Sequence, residues 1–174
     1  GYPTDQNIPY IGYYWGEYYF DKGDYKKAAD HFQELIQKYP DNPLAKRAAY
    51  LLAQALNERG YYKQAFQIVD YIDKRWAQFY LENPAFLKLA GDVESRLDKF
   101  EQAKEHYWTY YNLNPEAEAA DLVLARIGDI YLRLGDKVAA KKTAGDLGIP
   151  LVPGSDGAVS DIEVAKQVAA EVGY

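Results

Sequence analysis

The chain has 174 residues and no cysteine, enough to bury a core without staples and too few thiols for a disulfide framework, a thiolate zinc site or a cysteine nucleophile. His31 and His106 stand 75 positions apart, which excludes a histidine-rich metal centre, and 20 basic against 26 acidic residues leave a net charge of −6, the wrong sign for a nucleic-acid groove. No apolar run reaches the roughly 20 residues of a membrane span, and residues 1–20 lack the basic start and apolar stretch of a signal peptide. With no methionine at all, the chain reads as a processed or excised segment, and its 18 tyrosines are its one compositional anomaly.

In chain order, the first predicted helix runs from Tyr10 to Asp21. A Gly23-Asp24 turn leads into a second, Tyr25 to Lys38, ended by Tyr39-Pro40 because proline forbids continuation. Asp41-Asn42-Pro43 reads as a cap followed by proline at a helix start. The helix it opens turns at Gly60, and the next runs from Tyr62 towards Tyr80. Asn83 and Pro84 repeat the cap, a turn falls near Asp98, and Asn114-Pro115 closes that pair. A further helix spans about Glu118 to Leu134, turns at Gly135-Asp136 and is followed by another from Lys137.

These elements repeat. Gly23-Asp-Tyr-Lys-Lys-Ala28, Gly60-Tyr-Tyr-Lys-Gln-Ala65, Asp98-Lys-Phe-Glu-Gln-Ala103 and Gly135-Asp-Lys-Val-Ala-Ala140 place alanines at intervals of 37, 38 and 37. Upstream of each stands a small residue, Gly16, Ala53, Gly91 or Gly128, expected to meet Ala28, Ala65, Ala103 or Ala140 where two antiparallel helices cross closely. A lone hairpin cannot bury its apolar face, whereas stacked copies can, so the expected fold is all-α, an α-solenoid of about four hairpins. The expected boundaries are a solenoid over 1–147, with repeats at about 8–42, 43–82, 83–116 and 117–147, then a loop and capping helix over 148–174.

Gly16, Tyr19, Gly23-Asp24-Tyr25, Ala28, Phe32 and Pro40 together resemble the tetratricopeptide repeat (TPR). The resemblance extends over about residues 8–142, with three or four extra residues between hairpins, and is similar in that respect to TPR proteins of the bacterial cell envelope. It implies a non-enzymatic scaffold that binds a protein or peptide partner. It also implies a bacterial periplasmic or envelope address, with the cytoplasm second.

The tail carries a second resemblance. Gly135-Asp-Lys-Val-Ala-Ala140, Gly148-Ile-Pro-Leu-Val-Pro-Gly-Ser-Asp-Gly157 and the alanine-rich stretch ending at Tyr174 resemble the opening of the ATP-grasp module of biotin carboxylases. In that family the lysine matching Lys137 helps to hold nucleotide phosphate. The module's glycine-rich loop and metal-binding acids would lie further on, so no ATP chemistry and no cofactor are expected of this chain. The structural alternative is a cap: Ser160-Asp-Ile-Glu163 is a capping box, and Ile162, Ala165, Val168, Ala169 and Val172 share one face of a helix over about 161–172.

No catalytic or metal-binding constellation emerges. The carboxylate pairs Asp92/Glu94 and Glu116/Glu118 are two apart and read as a solvated face, while His31 and His106 read as helix-face residues packed beside neighbours. Tyr19, Tyr25, Tyr62, Tyr107 and Tyr131 fall at core positions of the repeat. The face of each first helix that a TPR superhelix turns to its concave groove is expected to carry Tyr10, Tyr13 and Glu17; Arg47, Tyr50, Gln54 and Asn57; Lys88, Asp92 and Ser95; and Asp129 and Arg133. Aromatics, amides and both signs of charge suit an extended or helical peptide, and the tyrosines and Arg133 are expected to be exposed. The lysine and asparagine clamp of chaperone-binding TPR modules is not matched, since Asp92 follows Lys88 by one turn. Two alternatives stand beside the scaffold: a piece of an ATP-grasp carboxylase joined to a repeat domain, and a self-assembling module that associates through its solenoid ends.

Overall fold

A computed structural model describes residues 7–134; the helices expected from Lys137 and over 161–172 lie outside the described residues. These residues form eight α-helices and, among themselves, no strand. The chain divides after Leu97 into two compact units.

The first unit holds α1 (Ile8–Asp21), α2 (Tyr25–Lys38), α3 (Ala45–Glu58), α4 (Tyr62–Arg75), the short α5 (Phe79–Glu82) and α6 (Ala85–Arg96). The α1–α2 and α3–α4 turns share one mechanism. Gly23 and Gly60 have φ of 74° and 76°, and each backbone N–H returns to the last turn of the helix before it. Gly23 donates to the Phe20 carbonyl and Asp24 to that of Tyr19, both at 2.9 Å; Gly60 and Tyr61 repeat the pattern to Asn57 and Leu56. This pair of hydrogen bonds satisfies carbonyls that a helix end leaves orphaned, and glycine takes the left-handed backbone without a Cβ penalty. Asp24 then caps α2, its side chain accepting the Lys27 N–H at 3.2 Å. Asp98 occupies the equivalent position of the next copy with φ 57°.

The core follows from α3. Ala45, Ala48, Leu52 and Ala55 join Tyr13, Ala28, Phe32 and Leu35 in one buried cluster, while Ala49 and Ala53 join Ala65, Val69, Ile72, Phe79, Phe86 and Val93 in a second. A helix packed on two sides needs small residues around most of its girth, which is why α3 reads AKRAAYLLAQALNE. Trp76, just past α4, packs against both clusters. Arg75 ties this corner to the preceding link, donating to the Pro40 carbonyl at 3.2 Å and to Asp41 Oδ1 at 2.6 Å.

Three expectations are corrected here. The space beside Gly16 is filled by the Phe32 ring, whose carbons lie 2.5 to 2.8 Å from where a Cβ would stand; the close neighbour is thus one helical turn beyond Ala28. The helix from Tyr62 stops at Arg75 instead of continuing to Tyr80, and the residues after it turn and form α5. Glu94 is not on a solvated face: it is 3% exposed, because it holds the register position filled by Tyr19 and Leu56 in the earlier copies, which faces packed neighbours. Glu116 and Glu118 are exposed, as expected.

The second unit, within the described residues, is α7 (Phe100–Leu113) packed on α8 (Ala120–Arg133). Ala103, Tyr107, Val123, Ile127 and Ile130 are buried. Lys104 lies 5.4 Å from the centre of the Tyr131 ring and Arg133 lies 5.6 Å from that of Phe100, so cations as well as apolar contacts bind the two helices. Of the tyrosines expected in the core, Tyr107 is buried, whereas Tyr19, Tyr25, Tyr62 and Tyr131 are half-buried.

Candidate functional site

Side chains from α1 and α3 meet at one carboxylate. The Tyr13 hydroxyl donates to Glu17 Oε1 at 2.6 Å, one helical turn on, and Arg47 Nη2 of α3 approaches the same oxygen at 3.8 Å. Tyr13 is 4% exposed, its ring 5.9 Å from that of Phe32. Burial first, and the carboxylate acceptor second, hold its hydroxyl protonated well above the usual tyrosine range. This corrects the expectation of an exposed ring: Tyr13 is a buried strut that fixes Glu17, and Glu17 in turn steers Arg47, whose side chain is largely exposed.

Beside Arg47 opens a cleft of about 460 Å³ lined by Pro43, Leu44, Lys46, Arg47, Tyr50, Phe79, Glu82 and Asn83. One wall is the start of α3 and the other is α5 with the residue after it. Its floor is aromatic: Tyr50 lies 6.1 Å from the buried Phe79, which lies 5.6 Å from Phe86. Desolvation raises the Tyr50 hydroxyl above its ordinary range, partly offset by the Asn83 side chain and the Arg47 charge. An ion pair between Lys46 and Glu82 joins the walls. The combination offers an apolar ring pocket, an amide and a largely exposed guanidinium within one opening, the chemistry that seats a side chain of a bound chain and fixes its orientation.

Of the other predicted groove residues, Tyr10 is exposed and Gln54 and Asn57 are half-buried on α3. On α6 Lys88 pairs with Asp92 at 2.7 Å, both about a quarter exposed, so this cation is already matched. Ser95 is half-buried, and its Oγ makes no hydrogen bond. In the second unit Arg133 is exposed and Asp129 half-buried. Asp129 Oδ1 is buried without a hydrogen bond, and burial pushes its carboxyl above the ordinary value despite Arg126 and Arg133. Tyr50, expected to be exposed, is half-buried and packs on the second core cluster. Sequence reasoning did not find Lys46, Phe79, Glu82 or Asn83. They line a site only because α5 forms, and a four-residue helix leaves no periodic signal; the extra length between hairpins was the available sign.

Among the described residues no group of three or more His, Cys, Asp or Glu could hold a metal ion, and no helix is long and apolar enough to cross a membrane. His31 stacks on Tyr19, ring centres 5.7 Å apart.

A family model described as the tetratricopeptide repeat matches residues 13–78, the stretch that holds the first two glycine-turned hairpins. Residues 13–78 are tetratricopeptide repeats. In overall fold the chain is similar to MamA from Desulfovibrio magneticus RS-1, with a TM-score of 0.67 and 19% identity over 83% of this chain and 76% of that one. It is similar also to a tetratricopeptide repeat protein from Parabacteroides merdae, with a TM-score of 0.65 and 20% identity over 80% of this chain and 52% of that one. At such identity the likeness shows the fold alone, that of a TPR solenoid. A different likeness is to carboxylases: biotin carboxylase from Haemophilus influenzae is 49% identical over 47 residues, 26% of this chain and 10% of the relative, and that from Pseudomonas aeruginosa is 34% identical over 110 residues, 56% of this chain and 22% of the relative. The chain spans about a tenth of the length of the first carboxylases it matches.

Proposed function

We propose that this TPR segment binds a peptide of a partner protein without catalysis, through a face built, within each unit, from the first helices of its hairpins. In the first unit that face comprises Tyr10 and Glu17 on α1, the latter braced from within by the buried Tyr13, Arg47, Tyr50, Gln54 and Asn57 on α3, and Lys88, Asp92 and Ser95 on α6. Asp129 and Arg133 are the candidate contacts of the second unit. The observation that carries the reading is the cleft beside Arg47, where an aromatic floor, the Asn83 amide and a guanidinium steered by Glu17 open together. A peptide with an aromatic or large aliphatic side chain next to a carboxylate would seat the ring on Tyr50 and Phe79 and the acid on Arg47, a pairing of anchor and charge that fixes register.

Panning a random peptide library against the full chain tests this. Recovered peptides should share an apolar-acidic pair, and Arg47→Ala should weaken them about tenfold or more, since buried arginine contacts carry about 1 to 3 kcal/mol. The fold should keep its stability, because an exposed ion pair at 3.8 Å is worth little. Recovery of no shared motif, or affinity untouched by Arg47→Ala, would reject the reading.

A second reading, a piece of an ATP-grasp carboxylase, is supported by the 49% identity over 47 residues. It predicts that a longer parent sequence carries a glycine-rich loop just after Tyr174, which the scaffold reading does not require.

A further inference from the structure

A helix that is apolar all round belongs in an interior, and α1 is such a helix with only one side covered. Its sequence, IPYIGYYWGEYYFD, carries two charges, Glu17 and Asp21. Tyr13 and Gly16 are buried against α2 and α3, and Glu17 lies beside Arg47. The opposite face presents Ile8, Ile11, Tyr14, Trp15 and Tyr18, each 47 to 64% exposed. No charged residue interrupts it from Ile8 to Tyr18.

We propose that this outer face of α1 is the contact between two copies of the chain, α1 lying antiparallel against its counterpart about a two-fold axis. Three observations favour a second copy over a different partner. Ile8, Ile11, Trp15 and Tyr18 are spaced three, four and three apart, a pattern that reads the same in both directions, so an antiparallel copy sets Ile11 against Trp15 and Ile8 against Tyr18. Self-contact places identical charges near the axis, and in a chain of net charge −6 an uncharged stripe is the surface on which that costs least. The area also fits. Five side chains of about 200 Å² each, half exposed, leave about 500 Å² per copy, and two such faces reach the roughly 1,000 Å² of a specific interface.

The stripe is also held in place before contact. Trp15 packs edge-on to Tyr18 at 5.6 Å and lies over Tyr19 at 5.9 Å, and Tyr19 stacks on His31. Rings ordered by one another lose little freedom on association, which favours binding without new contacts.

Sedimentation velocity of the full chain across a range of concentrations reads the result. Dimers are expected at micromolar concentration, and Ile11→Glu with Trp15→Glu should shift the midpoint upward at least tenfold with helix content unchanged. Because the chain has no cysteine, Tyr14→Cys, near the middle of the stripe, supplies a unique thiol that should cross-link to itself under mild oxidant; Gln33→Cys on exposed α2 surface should not. A wild-type chain that stays monomeric would overturn the proposal. So would a dimer that survives the double change, or one that cross-links through Gln33→Cys and not Tyr14→Cys.

Discussion

Gly16→Ala is the sharpest test of how the first hairpin packs. The added Cβ would stand 2.5 to 2.8 Å from three carbons of the Phe32 ring, where ordinary carbon contacts lie near 3.5 to 4.0 Å. The ring would have to retreat by about 1 Å. It has little room to do so, since Phe32 is fully buried and Tyr13 stands against it. Overpacking costs about 1 to 3 kcal/mol, and an overlap with three atoms belongs at the upper end. Replacing a helical glycine by alanine returns about 1 kcal/mol, which leaves a net loss of about 2 kcal/mol. Gly12 supplies the control on the same helix: nothing lies within 4 Å of its added Cβ, so Gly12→Ala should stabilise by about 0.5 to 1 kcal/mol. Urea denaturation followed by circular dichroism measures both. The double variant Gly16→Ala with Phe32→Leu should lose less than the sum of its parts, because leucine vacates the space. If Gly16→Ala matched or exceeded the stability of Gly12→Ala, the α1–α2 contact described here would be wrong.

Trp76→Ala removes the side chain that packs on both core clusters; full burial would make it a loss of about 3 to 5 kcal/mol, and half-burial brings this to about 2 kcal/mol, read from the urea midpoint. Asp98→Gly relieves a left-handed backbone that costs an L-residue about 1 to 2 kcal/mol and adds back glycine's entropy, for a net gain of about 0.5 to 1 kcal/mol in the same assay. The Asp129 carboxyl is raised by burial, so the folded state holds its proton more tightly than the unfolded chain does. The resulting stability is full below the ordinary value of 3.8 and lost as pH rises through the folded value. Asp129→Asn should therefore melt higher than the parent at neutral pH, with the advantage shrinking as pH falls through the folded value and gone below the ordinary value of 3.8.

Turn chemistry made much of the repeat legible. Gly23 and Gly60 recur at a fixed interval because each must take a positive φ, and the alanines of α3 recur because two clusters press on that helix. The burial of Tyr13 was hidden by its surroundings: in a helix with aromatics on every side, periodicity does not tell the inner face from the outer. Glu94 was misleading for the opposite reason, since a charged side chain at a packed register position looks solvated when only spacing is consulted. The cleft was illegible because α5 has four residues and owes its position to Phe79, which is buried with residues of α3, α4 and α6. The Arg47 candidate was legible and its steering by Glu17 was not, because that depends on how closely α1 and α3 approach.

The most direct test of the scaffold account is hydrogen–deuterium exchange of the full chain with and without a selected peptide. Binding in the cleft predicts slowed exchange at the start of α3 and across residues 79–83, with α2 and α4 unchanged. Slowing confined to α2 and α4 would place the working surface on the other side of the solenoid and contradict the account.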